Sequence, residues 1–207
     1  MTTVLLIRHA SNDYLKDKRM AGRKSGVHLN EQGQREAHAL AQRLATAPLR
    51  AIYSSPLERA QETAHILAQP HQLTVQIHDG LIEVDVGDWT DQTIADLEKT
   101  AMWQQMLARP FDFRFPNGEG NADVHARIVA TIDALVAAHR EHIIALVSHA
   151  DPIKIALAHY LGMNLHYFNR LAIEPASVSI LKFNETQTVL YRLNDNGALD
   201  WRDARKE

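Results

Sequence analysis

Two short apolar runs constrain this chain most. Residues 2–8 and Ile143 to Val147 each read as a buried strand, and each ends abruptly in a polar residue and a histidine, Arg8-His9 and Ser148-His149. In open α/β sheets, ligands bind outside the carboxyl ends of the strands. If the two runs are parallel neighbours, both histidines sit at one edge of one sheet. The rest of the chain alternates strand and helix patterns, which predicts an α/β sandwich.

Size and composition exclude several classes. The 207 residues suit one sizeable domain, 1–207, and 45% hydrophobic with 23% charged residues is ordinary for a folded protein. There is no cysteine, so disulfides, thiolate zinc sites and a thiol nucleophile are out. A net charge of −3 marks neither a nucleic-acid nor a membrane-surface protein. With no basic-then-apolar leader and no membrane-length apolar run, the chain is expected to be soluble and cytoplasmic. Its oligomeric state is left open. The glycosylation pattern Asn184-Glu185-Thr186 is read as chance.

Local patterns place the elements. The polar, glycine-containing stretch from Asn12 to His28 reads as a long loop. Asn30 is a candidate N-cap for a helix with Ala37, Leu40, Ala41 and Leu44 at helical spacing. Residues 51–54 read as a strand, and Ser55-Pro56 as the start of a helix with a Leu57, Ala60, Ala64, Leu67 stripe. Residues 73–78 read as a strand, 91–108 as helical, 111–120 as a loop. Val124 to Leu135 reads as a helix, and Pro152 opens another that Gly162 stops. Residues 177–183 and 187–193 read as a hairpin joined near Asn184-Glu185.

The candidate chemistry is phosphoryl transfer. Arg8 supplies a permanent forked cation for phosphate oxygens, and His9 a nucleophile that is neutral near physiological pH. For attack, the other ring nitrogen of His9 must donate to a fixed acceptor such as a backbone carbonyl. Arg59 falls in the first turn of its helix, where a cation opposes the macrodipole; that conflict suggests a second task, clamping phosphate. The plain alternative is an exposed arginine paired with Glu58 or Glu62. His149 is a further donor for the equatorial oxygens. A phosphomonoester expels a poor leaving group, so a general acid is needed. Glu83 lies among apolar neighbours that can raise its pKa; Asp85 and Asp88 compete for the role. Arg23, within Gly22-Arg23-Lys24-Ser25-Gly26, is a candidate anion contact. Trp103, Met102 and Met106 read as lid or core packing. His139 and His142 lack a third ligand, so no metal site is expected.

These motifs, in order, resemble the histidine phosphatase superfamily, also called phosphoglycerate mutase-like. Leu6-Ile7-Arg8-His9-Ala10 is similar to its Arg-His-Gly motif, and Leu29 to Gly33 to its Leu-Thr-x-x-Gly. Ser54 to Thr63 is similar to its Ser-Ser-Pro-x-x-Arg-x-x-x-Thr segment. Leu81-x-Glu83 with Gly87-x-Trp89 resembles its acid-bearing loop, Pro116 to Glu119 its Pro-x-Gly-Glu-Ser turn, and Val147 to His149 its second histidine motif. The resemblance implies a three-layer α/β sandwich: a mixed, mainly parallel sheet flanked by helices, with about 80–118 forming part of a lid. It implies a phosphorylated His9, a phosphate pocket completed by Arg8, Arg59 and His149, and Glu83 as proton donor. Asn12, Arg23 and Ala150 become candidate substrate contacts. No metal or organic cofactor is implied, and the partner is a small phosphorylated metabolite.

Departures bear on substrate: Ala10 for glycine, Asn12 for threonine or serine, Leu15 for asparagine, Thr90-Asp91 for Glu-Gly, Gly120 for serine, and Ala150-Asp151 after the second histidine. Glu119 is expected to cap a helix or bind a catalytic arginine. Glycolytic mutases of the family carry a long segment after the acidic glutamate, whereas this chain runs directly to Trp89. The expectation is therefore a phosphomonoesterase acting through a phosphohistidine. The alternative is a phosphoglycerate mutase-type phosphomutase.

Overall fold

The two apolar runs become β1 (Thr2–Arg8) and β4 (Ile143–Ser148), parallel neighbours with Arg8 in register with Ser148. In this computed structural model, which describes residues 1–197, they form the centre of a six-stranded sheet ordered β3-β2-β4-β1-β5-β6. The remaining strands are β2 (Leu49–Ser54), β3 (Val75–Ile77), β5 (Val178–Phe183) and β6 (Thr188–Asp195). The first four strands are parallel; β5 is antiparallel to β1, and β6 to β5. The sheet is mixed and mainly parallel, as expected. The last ten residues of the expected 1–207 domain lie outside the described residues.

Covering on both faces explains why these strands are apolar throughout. Side chains alternate across a strand. Val4, Leu6, Ile144 and Leu146 join one core layer with Val124, Ile128, Ile132, Ile153 and Leu157. Those partners belong to α6 (Asn121–Ala138) and α7 (Ala150–Tyr160). Leu5, Ile7, Ala145 and Val147 join the other with Leu40, Leu44, Ala60, Ala64 and Leu67, from α2 (Glu31–Leu44) and α3 (Glu58–Ala68). Each fully buried leucine or isoleucine contributes about 1.5–3 kcal/mol, so the central strand ends are held rigidly.

The structure departs from the expected elements at several helix starts and at one strand. The stretch 12–28 is not all loop: Asn12 Oδ1 accepts from the Leu15 N–H and starts α1 (Asp13–Lys16). α3 does not begin at Ser55-Pro56; Leu57 is its N-cap, without a side-chain cap bond. Ser55 is committed elsewhere. The expected 73–78 strand shrinks to three paired residues, because β2 ends at Ser54 opposite Ile77. The 91–108 helix is two, α4 (Ile94–Leu97) and α5 (Ala101–Ala108), since the Thr93 and Thr100 hydroxyls each cap a fresh start. α7 begins at Ala150, two residues before Pro152. The Asn30 cap of α2, the Gly162 stop and the hairpin stand as read. Trp103 stacks on Trp89, and Met106 packs on the core, while Met102 is exposed.

Candidate active site

Three adjacent strand ends build the site. The register of β1 and β4 leaves the His9 N–H donating to the Ser148 carbonyl (2.9 Å). The two imidazoles then face each other edge to face, 5.1 Å between centroids. β2 ends alongside, its next residue Ser55 donating its N–H to the Val147 carbonyl (2.9 Å). From here α3 carries Arg59 back in its first turn, and α7 starts directly from His149.

His9 is 3% exposed. Its Nδ1–H donates to the Ala10 carbonyl (2.8 Å), which leaves Nε2 as the unprotonated nitrogen. Burial, then the charges of Arg59 and Arg8, hold its pKa well below the usual imidazole range. Neutral and oriented, it meets both requirements of a nucleophile.

The donors around it are partly unspent. Arg59 is 2% exposed; one Nη2–H donates to the Gly22 carbonyl (2.7 Å), and Nη1 is buried without a partner. Arg8 Nη1 donates to the Ile173 carbonyl (2.6 Å), while its Nε is buried and unpaired. His149 is fully buried, its Nε2 2.7 Å from Ser55 Oγ and its Nδ1 unpaired. Ser55 Oγ already accepts from the Leu57 N–H (3.3 Å), so its own proton is free for Nε2. When the hydroxyl donates to Nε2, the His149 proton sits on Nδ1. Buried donors without acceptors are rare and need an occupant. An oxyanion with several acceptor oxygens supplies one.

Glu83 lies 3.9 Å from His149 Nδ1 and accepts from the Val84 N–H (2.9 Å). Its carboxyl is 16% exposed, and its pKa is pushed up to about 7, first by burial and then by the charge of Asp151. It therefore carries a proton near neutrality. The competing carboxylates serve the loop itself: Asp85 accepts from the Gly87 N–H and Asp88 from the Asn117 amide.

The remaining candidates sit at the edges. Asn12 is buried, with its oxygen spent on α1 and its amide left as donor. Ala150 begins α7, where backbone N–H groups lack helical partners. Arg23 points its guanidinium at the Glu83 carbonyl and at Glu119. Sequence reading missed Ser55, Asp151, Arg127 and Thr63, whose hydroxyl accepts from the Ala10 N–H and donates to the Arg59 carbonyl. Thr63 lay inside a quoted motif; nothing in the sequence marks Arg127 on its amphipathic helix. Glu119 does not cap α6; it pairs with Arg23 and Arg127. His139 bonds the Tyr53 hydroxyl. A groove of about 880 Å³ opens at the opposite end of the sheet, between Met1, Phe183 and Arg140. Chemistry, not volume, marks the site.

A neutral buried histidine beside two arginines and a second histidine that each keep an unpaired buried nitrogen, at the carboxyl edge of the parallel strands, defines an α/β protein built to handle a phosphoryl group. The sequence profile of the histidine phosphatase superfamily (branch 1) matches residues 4–196, and the chain belongs to that family. It is 30% identical over 199 residues to phosphoserine phosphatase 1 of Hydrogenobacter thermophilus, covering 94% of this chain and 92% of that one. It is also 30% identical over 188 residues to a probable phosphoglycerate mutase, GpmB, of Yersinia pestis, covering 90% and 87%. Among solved structures, mycobacterial glucosyl-3-phosphoglycerate phosphatase Rv2419c with VO3 superimposes with a TM-score of 0.85 at 27% identity, covering 93% and 98%.

Proposed function

We propose that this phosphatase-family chain hydrolyses a small phosphorylated metabolite through a phosphohistidine at His9. Nε2 attacks phosphorus; the P–O ester bond breaks, and Glu83 gives its proton to the leaving oxygen. Arg8, Arg59 and His149 Nδ1–H neutralise the equatorial oxygens. Water then attacks the phosphohistidine while the Glu83 carboxylate takes its proton, the P–N bond breaks, and inorganic phosphate leaves. No step calls on a metal or organic cofactor. Asn12 and the Ala150 N–H add contacts at the rim. The observation that carries this reading is the His9 Nδ1–Ala10 carbonyl bond, because it fixes the tautomer that attack requires.

Residues about 80–118 act as a lid over this pocket, within one domain. The aromatic cluster of Trp89, Trp103, Phe113 and Phe115 supports that role by anchoring the segment to the core layer that α6 and α7 share with the sheet. Phosphoserine is the first substrate to try, on the name of the Hydrogenobacter relative. A cytoplasmic setting goes with such a substrate; among the described residues no helix is long and apolar enough to cross a membrane.

The test is phosphate release from phosphoserine, 3-phosphoglycerate and an aryl phosphate by wild type and His9→Ala. Turnover is expected from the wild type, with acid-labile phosphate trapped on the protein in a rapid quench. Equal rates in the two proteins would reject the mechanism. The mutase alternative predicts 2-phosphoglycerate from 3-phosphoglycerate and a trace of bisphosphoglycerate, with little free phosphate.

A further inference from the structure

We infer that Arg23 is a positioning residue: with Gly22, Glu119 and Arg127 it ties the phosphate clamp to the peptide that carries the general acid. This deepens the reading of Glu83 as proton donor and rests on it.

The connection runs through two consecutive residues. Gly22 gives its carbonyl to Arg59 Nη2 (2.7 Å), the buried guanidinium of the phosphate pocket. Arg23 sends Nε–H to the carbonyl of Glu83 (2.9 Å) and Nη2–H to Glu119 Oε2 (2.8 Å). Arg127, from α6, reaches the same two groups from the other side. Its Nη2 donates to the Glu83 carbonyl (3.2 Å) and to Glu119 Oε2 (3.2 Å), and its Nε to Glu119 Oε1 (2.9 Å). Its Nη1 holds the Gly80 carbonyl (3.0 Å). One carboxylate thus fixes two forks, and both forks grip one peptide oxygen.

Local packing keeps this bridge in place. Gly22 has a φ of +49°, and a Cβ there would lie 2.6 Å from Val86 Cγ2. The loop therefore lies directly against the acid-bearing segment. Glu119 and Arg127 side chains are only 14% and 19% exposed, so these charge-assisted bonds are shielded from solvent. Bound this way, Arg23 directs its Nε–H and one Nη2–H at the acid-bearing peptide and at Glu119, which spends two of its five N–H donors. The anion-contact role expected for Arg23 gives way to one exerted through Glu83.

Acid placement and phosphate binding fail differently, and that separates the roles. Arg23→Ala and Arg23→Lys are compared using an alkyl phosphate, an activated aryl phosphate, and inorganic phosphate as competitive inhibitor. Loss of acid positioning lowers kcat/KM for the alkyl ester by about tenfold or more, inside the roughly 10²–10⁴-fold a general acid supplies. The aryl ester, whose leaving group needs no proton, is expected to change by less than about threefold, with an unchanged phosphate inhibition constant. Lysine does not rescue, because it lacks the fork that spans both acceptors. In a Glu83→Gln background, Arg23→Ala adds no further loss. Equal loss with both esters and weaker phosphate inhibition would make Arg23 a phosphate ligand and overturn the inference, as would wild-type rates with both. Should Glu83→Gln itself slow both esters alike, the acid assignment fails first, independently of Arg23.

Discussion

At the scale of single residues, the site separates two protonation states by burial. The proposed reaction requires His9 neutral and Glu83 protonated. Desolvation disfavours the charged form of each, so it drives the imidazole pKa down and the carboxyl pKa up. The active form then occupies the window between them. Activity falls as pH drops through the lowered His9 pKa, because the nucleophile becomes protonated. It falls again as pH rises through about 7, because Glu83 loses its proton. Glu83→Gln is expected to abolish the alkaline limb of kcat/KM for alkyl phosphates; a limb near 7 that survives the substitution would assign it to another group. Arg8, His9, Arg59 and His149 were all legible in sequence, because motif spacing survives without coordinates. Ser55 and Arg127 were not: their roles depend on which oxygen or nitrogen lies within about 3 Å.

At the scale of elements, close backbone approach explains the glycine in Leu29-Asn30-Glu31-Gln32-Gly33. A Cβ on Gly33 would sit 1.9 Å from the Ser11 carbonyl oxygen. The first turn of α2 thus rests directly on the turn that follows His9. Gly33→Ala is expected to force the two apart, costing roughly 1–3 kcal/mol of stability by overpacking and lowering kcat/KM. Thermal unfolding read alongside kinetics checks this, and a variant unchanged in both would deny the contact any role. Three of the misplaced helix starts share a cause. Thr93, Thr100 and Asn12 make local side-chain-to-backbone bonds that start short helices, and hydrophobic periodicity carries no trace of such bonds. Asp91, where the family has glycine, takes a φ of +68° and accepts from Lys24 (2.5 Å) and the Tyr14 hydroxyl, stapling residues 14–24 to the segment that follows Trp89.

For the molecule as a whole, the pocket stores unsatisfied charge. Burial lowers the pKa of both Arg59 and Arg8, and the Arg8 charge lowers that of Arg59 further. An oxyanion bound between the two guanidinium groups is expected to offset this. Inorganic phosphate at about 100 times its Kd is expected to stabilise the protein by about 2.7 kcal/mol. That is a rise of several degrees in Tm for a chain this long. Arg59→Met is expected to lose the phosphate-dependent rise, and a full rise in that variant would put the anion elsewhere. Among the described residues, the groove lined by Met1, Phe183 and Arg140 holds no comparable set of buried unpaired donors.

The sequence alone determined the α/β class, the two apolar strands and the histidines at their ends, since apolar runs and motif spacing are properties of the chain itself. Tertiary structure alone decided the strand order that makes β1 and β4 neighbours, the proton position on the His9 imidazole, and the Arg23–Glu119–Arg127 grip on Glu83. Each depends on which groups packing brings within hydrogen-bonding distance across tens of residues, and linear order does not encode that distance.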